Sequence, residues 1–157
     1  MPTATVARKA GESTALWLLG GLYEVRVSSA ETDGAVTVME FTVPVGAAPP
    51  EHVHDQDETV YVIEGRVKFH VEGETVEAGP GSVLFFPRGT SETFEPIDQA
   101  RLLVMYSPGG IDEFFKEVGE AAPRREIPPP PSGPPDIERL VAAGARHGLT
   151  LKPPAGG

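Results

Sequence analysis

Glycine and proline cut the first 110 residues of this chain into short segments, and that punctuation limits its fold more than any other feature. The segments, at 23–28, 35–45, 59–64, 66–72, 73–77, 82–86 and 101–106, are rich in Val, Phe, Tyr and Ile. Short runs of that composition, separated by turn residues, predict the strands of an all-β sandwich or barrel. The turns have a mechanism. Glu64-Gly65 and Glu72-Gly73-Glu74 place glycine where a hairpin requires positive φ, and Thr32-Asp33-Gly34 does the same after the first strand.

Beyond Pro108-Gly109-Gly110 the apolar period changes. Ile111, Phe114, Phe115 and Val118 fall at i, i+3, i+4 and i+7, which predicts an amphipathic helix over about 110–119 that Gly119 ends. Seven of the 13 residues from 123 to 135 are proline, so this stretch is expected to be an extended strap. Asp136 can cap a second helix, over about 136–147, with Ile137, Leu140 and Val141 on one face and Gly148 at its end. The expected organisation is a β domain over 1–110, then a helix, strap and second helix over 111–157 that pack on the barrel or across a partner.

Charge narrows the partners. With 23 acidic residues against 13 Lys and Arg, the formal net charge is −10, which disfavours nucleic acid and anionic membranes and leaves small molecules and cations. The chain has no cysteine, so neither a disulfide framework nor a thiolate metal site can form. The apolar run at 15–19 after Arg8 and Lys9 is too short for a leader or a membrane span, and a cytoplasmic protein is expected.

The densest chemistry lies between Gly46 and Gly65. His52 and His54 at i and i+2 of a strand point to one face, and Glu58 returns a carboxylate towards it. Two imidazoles and a carboxylate with open positions make a site for a divalent first-row ion, Fe, Mn, Ni, Co or Zn. Glu51, Asp55 and Asp57 add negative charge, and no basic residue lies between 51 and 58. His70 and His147 are expected to be bystanders, the first facing solvent and the second closing the last helix. Arg88 is expected at the rim, in a salt bridge.

This stretch resembles the first motif of the cupin superfamily: Gly46, five residues, His52, one residue, His54, three residues, Glu58, six residues, Gly65. Residues 81–96 resemble the second motif, with Gly81, Pro87 and Gly89 in place. Glu92 stands where most members carry a third histidine, and Pro96 where they carry asparagine. The C-terminal helix and strap are similar to those of small quercetin 2,3-dioxygenase-like actinobacterial cupins. The resemblance implies a jelly-roll barrel, a homodimer, and a metal held by His52, His54 and Glu58. Three roles stay open for Glu92: a fourth ligand, a pocket acid or base beside Glu58, or an outward-facing bystander. Met39, Phe41, Phe94 and Met105 are candidate walls of a substrate pocket. The implied function is a metal-dependent enzyme of dioxygenase type acting on a small organic, aromatic or polyketide-like substrate. The alternatives are a redox-neutral cyclase, isomerase or lyase using the pocket carboxylates, and a non-catalytic small-molecule binder.

Overall fold

The computed structural model describes residues 3–152, and the strand pairs it contains are all antiparallel. The strands are β1 (Thr14–Leu18), β2 (Gly21–Val27), β3 (Thr37–Val43), β4 (His52–His54), β5 (Asp57–Glu64), β6 (Val67–Val71), β7 (Glu74–Ala78), β8 (Val83–Phe86), β9 (Ser91–Pro96), β10 (Ala100–Ser107), β11 (Glu120–Ala121) and β12 (Leu149–Leu151). The helices are α1 (Ile111–Val118) and α2 (Ile137–Arg146). One sheet runs β11-β1-β2-β3-β10-β5-β8 and the other β12-β4-β9-β6-β7. Two antiparallel sheets facing each other make the sandwich expected from the punctuation, in the jelly-roll form that the resemblance implied.

Period-two alternation decides what lies between the sheets. Met39, Phe41 and Val43 of β3, Val60 and Val62 of β5, and Leu102 and Val104 of β10 all point inward and are buried. Each such side chain contributes about 1.5–3 kcal/mol by leaving water. Gly65 turns β5 into β6 at φ 78°, where a Cβ would lie 2.4 Å from the Gln99 carbonyl oxygen, so the turn needs glycine twice over.

The C-terminal segment folds back on the barrel. In α1 the buried Asp112 accepts hydrogen bonds from Ser29 N and Oγ, both at 3.1 Å, and from Thr37 Oγ1 at 2.7 Å. These bonds fix α1 against β3. The strap runs along the outside of β1 and β2: Trp17 Nε1 donates to the Glu126 carbonyl at 2.8 Å, and Arg125 pairs with Glu24 at 3.0 Å. Asp136 Oδ1 caps α2 by accepting from Arg139 N at 3.1 Å. Beyond α2 lies β12, a strand with no sequence signal, which pairs with β4. Residues 153–157 of the expected C-terminal segment lie outside the described residues.

At the N-terminal side, Arg8 pairs with Glu31 at 2.8 Å and holds its carboxyl down at about 2, helped by the Ser28 backbone N–H. A depressed carboxylate stabilises above its unfolded value and loses that contribution as pH falls through its folded one. Glu31→Gln is therefore expected to cost about 1 kcal/mol at pH 7. The gap between variant and wild-type urea midpoints should close as pH drops from 4.5 towards 2.

Candidate metal centre and its pocket

The site is built across both sheets. β4 is only three residues long, yet it places His52 and His54 on one buried face with Val53 between them. In the same sheet β9 runs beside it with Glu92 directly opposite His52, so the Glu92 Oε1 atom lies 3.5 Å from His52 Nε2. Glu58 arrives from β5 in the facing sheet and brings Oε2 within 3.6 Å of His54 Nε2. Tyr106 of β10 and Phe86 of β8 flank Glu58 in register. The Tyr106 ring lies 5.0 Å from the His54 ring.

The ligand atoms of His52, His54 and Glu92 lie within 4.8 Å of one another, close enough to surround one ion. His52 Nδ1 sits 2.8 Å from the Pro50 carbonyl, which fixes the tautomer that leaves Nε2 free to ligate. His54 Nδ1 and Glu58 Oε2 are buried with no hydrogen-bond partner among the described residues. Buried polar atoms without partners are rare in folded chains, and here two of them flank the ligand cluster.

Electrostatics points the same way. Burial, reinforced by His52, pushes His54 down to about 3, so it is neutral and able to ligate near pH 7. Burial and the adjacent Glu92 carboxyl raise Glu58 well above the usual range, and burial raises Glu92 as well. Tyr106 is pushed up by burial and by both carboxyls. Two acidic groups crowded in an apolar place favour a shared proton or a cation. The donor set fits a divalent ion, with two imidazoles, a carboxylate across from them and a second carboxylate beside them.

Above this centre lies a cavity of about 60 Å³. Phe41, Phe94, Tyr23 and Tyr106 form its barrel wall. Its roof comes from the C-terminal segment: Ile111, Phe114 and Phe115 of α1, Leu140 of α2, and Leu149 and Leu151 of β12. No Lys or Arg lines it among the described residues.

Of the four expected wall residues, Phe41 and Phe94 line the cavity. Met39 faces the same interior but is wholly enclosed in the core, 0% exposed. Met105 is a correction: it is 39% exposed on the outer face, because β10 has Val104 and Tyr106 pointing inward and strand parity sends Met105 out. The residue that reaches the site from β10 is its neighbour, Tyr106. Sequence reasoning passed over Tyr106, although counting parity from the buried Leu102 would have found it. Glu92 is buried and turned inward, which removes the outward-facing alternative. His70 contacts Thr75 and Glu95 at the surface, His147 lies 3.2 Å from Glu117, and Arg88 pairs with Asp57 at 3.2 Å, so none of the three enters the site.

The two-sheet jelly roll thus brings two histidines and two carboxylates together inside its mouth. The Cupin domain family matches residues 39–106, the stretch that carries the centre. The chain is 31% identical over 97 residues to an uncharacterized Streptomyces coelicolor protein, covering 55% of this chain and 92% of that one. The protein belongs to the cupin superfamily. It is also 25% identical over 115 residues to quercetin 2,3-dioxygenase of Bacillus subtilis, covering 71% of this chain. It spans only about a third of that enzyme's length, 34%. Among solved structures it superposes on the polyketide cyclase RemF from Streptomyces resistomycificus with a TM-score of 0.52 at 25% identity. That superposition covers 68% of this chain and 79% of the cyclase. No helix among the described residues is long and apolar enough to cross a membrane.

Proposed function

We infer that this cupin is a metal-dependent enzyme that holds a small uncharged organic molecule beside a first-row divalent ion and moves a proton with Glu58. The observation that carries this reading is the division of the four polar groups. His52, His54 and Glu92 offer a ligand set that leaves coordination positions open, while Glu58 stands next to it, buried, raised and short of a partner. A buried carboxyl whose proton affinity is raised is suited to general acid–base work. Tyr106 beside it can hold the Glu58 carboxyl in place. An ion in this site would act as a Lewis acid on a substrate oxygen. Aromatic walls and a lining without cationic side chains suit a neutral, ring-containing molecule and repel phosphates and carboxylates.

Two chemistries fit that arrangement. The adjacent Glu58 and Glu92 favour a redox-neutral cyclisation, isomerisation or elimination, in which one carboxyl takes a proton and returns it. The open coordination positions of a two-histidine, one-carboxylate set favour dioxygenation, and the likeness to quercetin 2,3-dioxygenase supports it. Incubating Mn-, Fe- or Ni-loaded protein with a panel of neutral phenols, quercetin included, separates them by product mass and oxygen uptake. A gain of both atoms of O₂ marks dioxygenation. An unchanged mass or the loss of water, without oxygen uptake, marks the redox-neutral course. Tight binding of panel members with no turnover under any metal would make the protein a binder instead.

A further inference from the structure

We propose, building on the metal centre inferred above, that Gln56 is a positioning residue: its amide oxygen accepts a hydrogen bond from His54 Nδ1 and so leaves Nε2 bare for the ion. Burial alternates along the chain from β4 into β5. His52, His54, Gln56 and Glu58 are buried, while Val53, Asp55 and Asp57 between them are less so. Period two thus turns four polar side chains inward, and Gln56 is the one without a place in the ligand set. It is 6% exposed and uncharged, so it adds nothing to the attraction for a cation and needs another reason to be there.

The direction of its amide is fixed by the roof of the pocket. Gln56 Nε2 donates to the His147 carbonyl at 3.3 Å, a bond that the amide oxygen could not make. Oε1 is therefore the free end, and it is buried with no partner among the described residues. Two positions back, His54 Nδ1 is also buried and also without a partner. The nitrogen can donate and the oxygen can only accept, so each supplies what the other lacks. The two side chains are neighbours: burial and His52 lower the proton affinity of His54, and Gln56 acts against them. A small rotation of the amide joins the pair.

The bond matters because of what the other ring nitrogen faces. His54 Nε2 points to Glu58 Oε2 at 3.6 Å, as His52 Nε2 points to Glu92 Oε1 at 3.5 Å. A proton held on Nδ1 leaves a lone pair on Nε2, and the Pro50 carbonyl already does this for His52. Gln56 does it for His54, with one difference. Its anchor lies in the C-terminal segment, at the turn between α2 and β12. Asp55 N donates to the Gly148 carbonyl at 2.8 Å, and a Cβ on Gly148 would come within 2.8 Å of Gln56 Nε2. That turn, with Gly148 at φ 74°, is shaped around the amide. The segment that roofs the pocket also holds a metal ligand in its working tautomer.

Long-range nitrogen–proton correlation spectra of the metal-free full chain read the tautomer directly, with His54→Ala assigning the signals. Competition with a chromophoric chelator gives the zinc affinity. In the wild type His54 is expected to carry its proton on Nδ1. Gln56→Met, of similar length but with no acceptor oxygen, should move most of that proton to Nε2 and weaken zinc binding by at least about tenfold. Gln56→Glu returns an acceptor oxygen and should restore the Nδ1–H tautomer. Circular dichroism confirms folding, and a merely structural glutamine would change the melting temperature without moving the proton. A folded Gln56→Met variant that keeps the proton on Nδ1 overturns the proposal, whatever its zinc affinity, and leaves the metal centre standing. A wild type whose tautomer follows residue 56 but which binds no zinc supports the hydrogen bond and removes instead the metal reading that gives it a purpose.

Discussion

Replacing both His52 and His54 by alanine should abolish metal binding while leaving the β fold intact. Both imidazoles project from a three-residue strand whose backbone is held on both edges, by β9 and β12. Truncating them therefore removes ligands and not the framework. Without them only carboxylates remain, and affinity for a first-row ion should fall by several orders of magnitude. The effect carries over to stability. A ligand present at a thousand times its dissociation constant stabilises the folded state by about 4 kcal/mol. For a chain of this size that corresponds to a melting temperature lowered by about 10 °C on chelation. Elemental analysis and melting curves with and without EDTA give the check. The wild type should show both the ion and the EDTA shift, and the double variant neither. A wild type grown with added metal that carries none, and melts the same in EDTA, would remove the metal centre from the account.

The second large effect separates the two carboxylates. Glu58→Gln should retain the ion and lose turnover by about 10²–10⁴-fold, the range for removing a positioned acid or base. The compound to use is whichever one the wild type converts. Glu92→Gln should instead weaken the ion itself, because Glu92 is the carboxyl that closes on His52 and His54. Glu92→His would supply a third imidazole and shift preference towards Ni, Co and Zn, while lowering the native turnover by at least about tenfold. Calorimetric metal titration and initial rates on all three variants resolve the roles. If Glu58→Gln loses the ion as fully as Glu92→Gln does, Glu58 is a ligand too and the proton must be moved by another group.

Much of this was legible in the sequence for definite reasons. The strands of the core announce themselves because β3 alternates apolar with polar and β5 and β10 carry short apolar runs between turns, and the hairpins because glycine sits where φ is positive. α1 and α2 carry helical stripes and, for α2, an aspartate cap. Other strands were silent. β9 carries Glu92 and Pro96 at inward positions, so its inner face does not look apolar. β12 is three residues long and exists because β4 offers it an edge. β1 was read as an apolar run and not as a strand.

The site divides along the same line. The sequence by itself determined that His52 and His54 share a face, since period two permits nothing else, and that acidic residues surround them. Only the tertiary structure decided which carboxyl completes the cluster. Glu92 lies opposite His52 through strand pairing across some 40 residues, and Glu58 reaches His54 from the other sheet. The same holds for the pocket roof, where Leu149 and Leu151 meet the barrel only after the strap has carried the chain back over it. Local periodicity sets the direction of a side chain along its own strand. Which side chains then meet depends on pairings between distant segments, and those follow from burying both sheets at once.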